Sequence, residues 1–323
     1  MRISPEKLAA EAEATKFRAD MLEKAVRLLE LLEALHSHPF LKGKLVLKGG
    51  TALNLFVFDV PRLSVDIDLN YVGTRQRDAM LEERPRIEKA VQDVFRREDF
   101  TVRRMPEEHA GGKWLLRYQS ASGVSGNLDV DINFMYRVPL WPITKMDSRS
   151  LGSWQVTDIP VMDIHELAAG KLSALLARRR ARDLFDSRLI FSMEDLDRNR
   201  LRIAFVVYGA MDRKDWRGIS VADVDLDVAE LASQLVPSLH VGSIQGSREA
   251  TTYGEMLVKE CRLGISAVLP FTDAELAFLD LLLEQGEIDA SILTDDRSLQ
   301  SRIQSQPLLE WKALNVRRHK GLS

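Results

Sequence analysis

Two sets of alternating aspartates stand out for the chemistry they could do. The first is Asp66-Ile67-Asp68, inside the β-branched run Val65 to Val72; the second is Asp129-Val130-Asp131-Ile132-Asn133. In a strand, alternate residues share a face, so each pair presents two carboxylates in one direction with apolar residues packed behind. Carboxylates that close repel unless a positive charge sits between them. A hard divalent cation meets that need, and Mg²⁺ in particular is held by one or two carboxylates plus substrate phosphates. Upstream, Gly49-Gly50-Thr51 follows the apolar run Leu45-Val46-Leu47. Glycine N–H groups can approach a phosphate closely, and a helix starting at Thr51 would add its positive dipole end. Either motif alone is weak, and a lone Asp-x-Asp reads as a solvated strand face. The order strand, Gly-Gly, helix, strand with Asp-x-Asp is the stronger signal. It predicts a triphosphate site, cradled by Gly49, Gly50 and Thr51, beside a metal site at Asp66 and Asp68.

Two-metal phosphoryl chemistry needs a third carboxylate on a neighbouring strand. Asp129 and Asp131 share a face, and spacing alone does not choose between them. An acid that stays ionised beside a metal can also serve as general base. Lys171, Arg178 and Arg182 form a third constellation, seven and eleven residues apart. On one straight helix they fall within about 20° of a line, a cationic ridge suited to a triphosphate. The same residues equally describe a solvated basic face paired with Asp183 and Asp186. Asp183 itself would lie off the ridge, orienting Lys171 or Arg178 unless the helix bends. The runs Arg178-Arg179-Arg180-Ala181-Arg182, with Arg188, and Arg317-Arg318-His319-Lys320 are local basic clusters. They read as phosphate-backbone contacts or, with nearly equal weight, as solubilising surface. Ser64 precedes Asp66 by two and shares its face; phosphate there would oppose the metal acids.

Together these blocks resemble the AbiEii/AbiGii toxin family, nucleotidyltransferases of the DNA polymerase β-like superfamily found in bacterial type IV toxin–antitoxin systems. The residues that carry the resemblance are Lys48-Gly49-Gly50-Thr51-Ala52-Leu53 and Arg62-Leu63-Ser64-Val65-Asp66-Ile67-Asp68-Leu69. Glu166 to Arg178, the pair Arg182-Asp183 with Asp186, and the tail Leu309 to Arg317 match too. The resemblance implies transfer of a nucleoside monophosphate from an NTP to RNA, at the tRNA 3′ end, halting translation and growth. It implies Mg²⁺ (with Mn²⁺ as an alternative) as cofactor, a separately encoded antitoxin and a role in phage defence. It favours Asp131 over Asp129 as the third acid, and assigns catalytic weight to Lys171 and Asp183. It also makes Ser64 and Arg178 candidate nucleotide contacts, and Ser64 a candidate phosphosite. Two other readings stand beside it: a toxin that binds nucleotide without transfer, and nucleotidylation of a protein.

The elements that would position these groups follow from periodicity. Residues 5–35 read as one or two amphipathic helices, 45–48 as a strand, 51–58 as a helix and 65–72 as a strand. A covering helix spans 77–97, with Pro85 expected to start its main segment. Strand candidates are Phe100–Arg104, Trp114–Gln119 and Leu128–Phe134, and 139–160 reads as an irregular connection between lobes. A helix over 163–190 has Asp163 as N-cap and Glu166 as its capping-box partner. The expected fold is α+β: a small mixed sheet with covering helices over 1–150, then a largely helical lobe over 151–323.

Composition excludes little but bounds the setting. The chain has 323 residues and a formal net charge of −3, so any nucleic-acid surface must be local. A single cysteine, Cys261, rules out an intramolecular disulfide and fits a reducing cytoplasm. Met1 to Ala10 is polar, without a signal pattern, and no apolar run approaches the ~20 residues of a membrane span. The histidines lack metal-ligand spacing, and His36 and His38 read as surface residues.

Overall fold

The structure, a computed structural model, describes residues 3–105, 111–244 and 246–322. The chain divides into two compact units. The first takes in Met1–Arg137, Ile143–Met162 and Ser233–Gln245; the second Val138–Pro142, Asp163–Ala232 and Gly246–Ser323.

The first unit is built on one mixed sheet. Its strands are β1 (Leu45–Lys48), β2 (Asp66–Tyr71), β3 (Thr101–Arg104), β4 (Gly111–Gln119), β5 (Ser125–Asn133), β6 (Thr144–Met146) and β7 (Ile159–Val161). They lie in the order β3-β4-β5-β2-β1-β7-β6. β2 runs parallel to β5 and antiparallel to β1, while β4 is antiparallel to both β3 and β5. The short strands β6 and β7 form inside the stretch expected to be irregular, and β7 pairs with β1. Three-residue strands around Pro142 and Pro160 are too brief to show a period of two.

Alternation decides which sheet face is covered. Ile67, Leu69 and Tyr71 of β2, Trp114 and Leu116 of β4, and Leu128, Val130 and Ile132 of β5 are buried on one side. Helix α1 (Pro5–Thr15) packs on α2 (Ala19–Ser37), and α2 with α4 (Arg77–Arg97) packs against the sheet unit. α4 runs unbroken through Pro85 instead of starting there. The proline forfeits one ladder bond, but Met80, Arg84, Ile87, Val91 and Val94 bury a continuous face that holds the helix. His36 is half-buried and not freely exposed: its ring sits between the carbonyls of Leu32 (2.9 Å) and Leu45 (3.2 Å), linking α2 to β1.

The second unit is helical: α5 (Ile164–Ala177), α6 (Ala181–Phe191), α7 (Arg198–Met211), the short α8 (Val228–Glu230), α9 (Gly246–Gly264), α10 (Asp273–Asp280), α11 (Arg297–Gln304) and α12 (Pro307–Lys320). α5 packs on α6 and α7, α6 on α9, and α12 on α7. The helix expected over 163–190 is two helices. Arg178 leaves the helical region (φ −147°, ψ 105°) and Arg180 is extended before α6 begins. No glycine or proline marks that break. Arg182 follows Arg179 and Arg178 at i+3 and i+4, spacings at which like charges weakly oppose a continuous helix, and the break lets Arg178 turn back towards Asp183. The capping box is also not formed. Asp163 caps α5 by accepting the His165 N–H at 2.9 Å. Glu166 instead accepts the Trp141 N–H (3.2 Å) and the Tyr208 hydroxyl (3.2 Å).

Candidate active site

The parallel pairing of β2 and β5 sets the acids against each other in register. Asp66 lies opposite Asp129 and Asp68 opposite Asp131. Paired residues on neighbouring strands share a face and lie about 4.8 Å apart in strand spacing. Four carboxylates therefore gather on the side of the sheet away from its apolar core, all partly exposed. Lys48 at the end of β1 pairs opposite Asp68 and shares that face, its ammonium 5.7 Å from the Tyr136 ring centroid.

The turn after β1 is shaped around Asp68. Gly49 has φ +75°, and a Cβ built on it would stand 2.4 Å from Asp68 Oδ2. The glycine thus leaves room for that carboxylate. Helix α3 (Gly49–Ala52) follows, widening into further turns over Leu53–Val57. Thr51 is fully buried; its hydroxyl donates to the Asp66 carbonyl at 2.6 Å and lies 2.9 Å from Ser64 Oγ. The Thr51 hydroxyl thus bridges the Asp66 carbonyl and Ser64 Oγ. Ser64 is itself buried. The two hydroxyls pin α3 to the start of β2, so Thr51 and Ser64 brace the loop that carries Gly49 and Gly50.

Lys113 on β4 had no signal in the sequence. Its ammonium lies 2.7 Å from Asp129 Oδ2. Burial would lower its pKa, but Asp129, Asp66 and Asp68 together raise it above the usual lysine value. Asp129 is thus engaged by a lysine, whereas Asp131 is the acid facing Asp68.

Oxygen donors on adjacent strands are the right chemistry for a hard cation, and the Gly49 cradle keeps Asp68 in place for one. Among the described residues, no three acidic, histidine or cysteine side chains converge closely enough to form a metal centre as they stand.

The second unit carries its own charged cluster. Lys171 of α5 is 8 % exposed, and its ammonium lies 2.9 Å from Asp183 Oδ1 and 2.9 Å from Asp186 Oδ2. Asp183 and Asp186, three apart on α6, are 2 % and 0 % exposed and reach the same ammonium. Arg178 Nε donates to Asp183 Oδ2 at 2.9 Å. Burial alone would raise the Asp183 carboxyl, but Lys171 and Arg178 outweigh it and hold it below the ordinary carboxylate range. The straight cationic ridge of Lys171, Arg178 and Arg182 does not exist, because the helix ends between them. Lys171 and Arg178 meet at Asp183 instead. Asp186, read in the sequence as a surface partner and as part of the matching block, is completely buried and belongs to the cluster.

The basic runs are largely matched by acids. Arg179 pairs with Asp225, Arg180 with Glu230, Arg188 with Glu260 and Lys320 with Glu284. Arg317 donates to the Gly286 carbonyl.

Comparison with known proteins bears on what this arrangement is for. A family model described as nucleotidyl transferase AbiEii toxin, type IV TA system, matches residues 30–252. No curated protein matches the sequence. Among solved structures, the chain is similar to MenT4, a nucleotidyltransferase toxin from Mycobacterium tuberculosis H37Rv. The TM-score is 0.59 at 18% sequence identity, covering 92% of this chain and 97% of that one. At that identity the likeness speaks for the fold, an α+β nucleotidyltransferase arrangement.

Proposed function

The chain belongs to the AbiEii family of nucleotidyltransferase toxins from type IV toxin–antitoxin systems, and we propose that it transfers a nucleoside monophosphate from an NTP to the 3′ end of RNA. The observation that supports this most is the register that sets Asp66 and Asp68 against Asp129 and Asp131 on one open sheet face.

In this reading the oxygen of the acceptor 3′-hydroxyl forms a bond to the α-phosphorus. The bond from that phosphorus to the bridging oxygen breaks, and pyrophosphate leaves. Asp66 and Asp68 would hold Mg²⁺ or Mn²⁺, with Asp131 completing the set or taking the hydroxyl proton. When bound, such a cation supplies charge neutralisation on the phosphates and polarises the α-phosphate. Gly49 and Gly50 give backbone N–H groups a close approach to phosphate. Thr51 and Ser64 hold that turn. Lys171 and Arg178, positioned by Asp183 within the second unit, are the further residues we assign to the reaction. The acceptor is tRNA, whose blocked 3′ end stops translation, in the cytoplasm, under control of a separately encoded antitoxin. A function in phage defence follows from that growth arrest. No helix among the described residues is long and apolar enough to cross a membrane.

The test is incubation with each α-labelled NTP and total cellular RNA, with and without EDTA. Label in RNA, lost with EDTA and restored by Mg²⁺ or Mn²⁺, is expected. Label confined to protein, or none anywhere, would overturn the proposal.

A further inference from the structure

The acid-bearing sheet face does not stop at the aspartates. The antiparallel pairing of β4 with β5 sets Lys113 opposite Asp131, Leu115 opposite Asp129, and Arg117 opposite Asn127. The pairing of β3 with β4 sets Thr101 opposite Arg117 and Arg104 opposite Leu115. Since paired residues share a face, Arg104, Lys113, Arg117, Thr101 and Asn127 all lie on the side that carries Asp66, Asp68, Asp129 and Asp131. A register shift between Val102 and Arg104 is what turns Arg104 this way. Bulges commonly re-aim a side chain beside a site. Thr101, Arg104, Lys113 and Asn127 are exposed, and Arg117 is half-buried with its guanidinium against Ser125 Oγ. A shallow polar cavity of about 380 Å³ opens at this end of β4, lined by Thr101, Arg117, Gln119 and Ser125 together with Arg27, Asp99 and Tyr118. The aromatic residues of β4, Trp114 and Tyr118, point to the buried side.

We propose that this strip, running from the acids across β4 to the edge strand β3, is the docking track for the phosphate backbone of the RNA acceptor. The proposal rests on the reading that the acceptor is RNA. Charge complementarity supports it: three cations flank an anionic centre that would otherwise repel a polyanion. Continuity supports it too, since a strand lying on β3 and β4 ends at the acids one and two strands away. The composition of the strip also sets the mode of contact. Arginine, lysine, threonine and asparagine reach phosphate and sugar oxygens, which fix register without reading sequence. Trp114 is fully buried and Tyr118, though it reaches the cavity, is only 7 % exposed, so neither presents an open ring face of the kind that grips single strands by base stacking. The contacts are therefore to the backbone, and binding tolerates sequence.

The double variant Arg104→Gln/Arg117→Gln tests this, with unfractionated tRNA and free NTP as probes across a salt series. Affinity for tRNA should fall about tenfold at low salt, and the slope of log affinity against log salt should shrink by about 1.4, for two lost single-strand phosphate contacts. NTP affinity should stay within twofold of wild type, and KM for tRNA should rise with kcat retained. The melting temperature controls for folding; if it drops, the single variants Arg104→Gln and Arg117→Gln, each expected to give about half the slope change, replace the double. Unchanged tRNA affinity and slope, in a variant that labels RNA as wild type does, would overturn the docking track while leaving the RNA reading standing. A wild-type protein that binds NTP but neither binds nor labels RNA would overturn both.

Discussion

Asp68 lies directly across from Asp131 in the parallel pairing of β2 with β5, while its own carboxylate fills the space left by the missing side chain of Gly49. Two elements distant in sequence thereby fix the same functional group, one by register and one by absence of a Cβ. Asp68→Asn and Asp131→Asn should each abolish nucleotidyl transfer. Neither should lower the melting temperature, because removing one charge relieves repulsion among neighbouring carboxylates. Transfer assays and thermal melts on the purified variants check both halves; retained activity in either would remove that acid from the site.

Gly49→Ala should be damaging for two separable reasons. A residue with a Cβ pays roughly 1–2 kcal/mol to adopt left-handed backbone, and here the Cβ would stand 2.4 Å from Asp68 Oδ2. Stability should fall by at least that amount and transfer should be lost. Gly43→Ala provides the comparison: φ is +76° there, but nothing lies within 4 Å of the added Cβ. Its stability loss should be similar in kind, with activity retained.

Lys171→Ala will not be a clean loss of function. The ammonium is the shared partner of two buried carboxylates. Removing one partner of a buried ion pair costs about 3–5 kcal/mol. The variant should melt well below wild type. Lys171→Met combined with Asp183→Asn should recover part of that loss, since fewer uncompensated charges remain. Equal melting temperatures for wild type and Lys171→Ala would mean the cluster is not formed in solution.

Glu166 makes stability depend on pH. Burial pushes its carboxyl up to about 8 from the ordinary 4.5, despite the backbone N–H groups of Leu140 and Trp141. Between those two values the folded protein holds the proton and the unfolded chain does not, so stability falls as pH rises through that window. Glu166→Gln, which keeps a neutral amide in the same place, should flatten this limb and gain on the order of a few kcal/mol near its upper end. Denaturant melts at acidic and mildly alkaline pH measure the difference. A wild-type profile that rises towards pH 8, or a variant with the same slope, would contradict the assignment.

Much of the first unit could be read from the chain because its signals are local. Alternation placed β1 and β2 almost to the residue, and the limits of α4 were legible despite Pro85. That each Asp-x-Asp pair shares a face was legible because alternate residues of a strand point the same way, and both segments are strands. What was not legible depends on pairing across the chain. Lys113 becomes notable only when β4 aligns with β5. Asp186 looked like surface because its burial depends on α6 packing against α5 and α9. The break at Arg178 lacks any glycine or proline, and arises from charge and from the pull of Asp183, a contact no periodicity reveals. The expected capping box failed because Glu166 found better partners in Trp141 and Tyr208, which are far away in sequence.

The most direct measurement uses one defined tRNA and two labelled forms of the same NTP, with label at the α- or the γ-phosphate. Wild-type protein should place the α-label, and not the γ-label, on the tRNA, and periodate oxidation of the tRNA 3′ end should abolish labelling. Asp68→Asn, folded as judged by its melt, should leave the tRNA unlabelled. Labelling by Asp68→Asn at the wild-type rate, or label that survives periodate oxidation or resides in protein, would contradict transfer to an RNA 3′-hydroxyl by this face of the sheet.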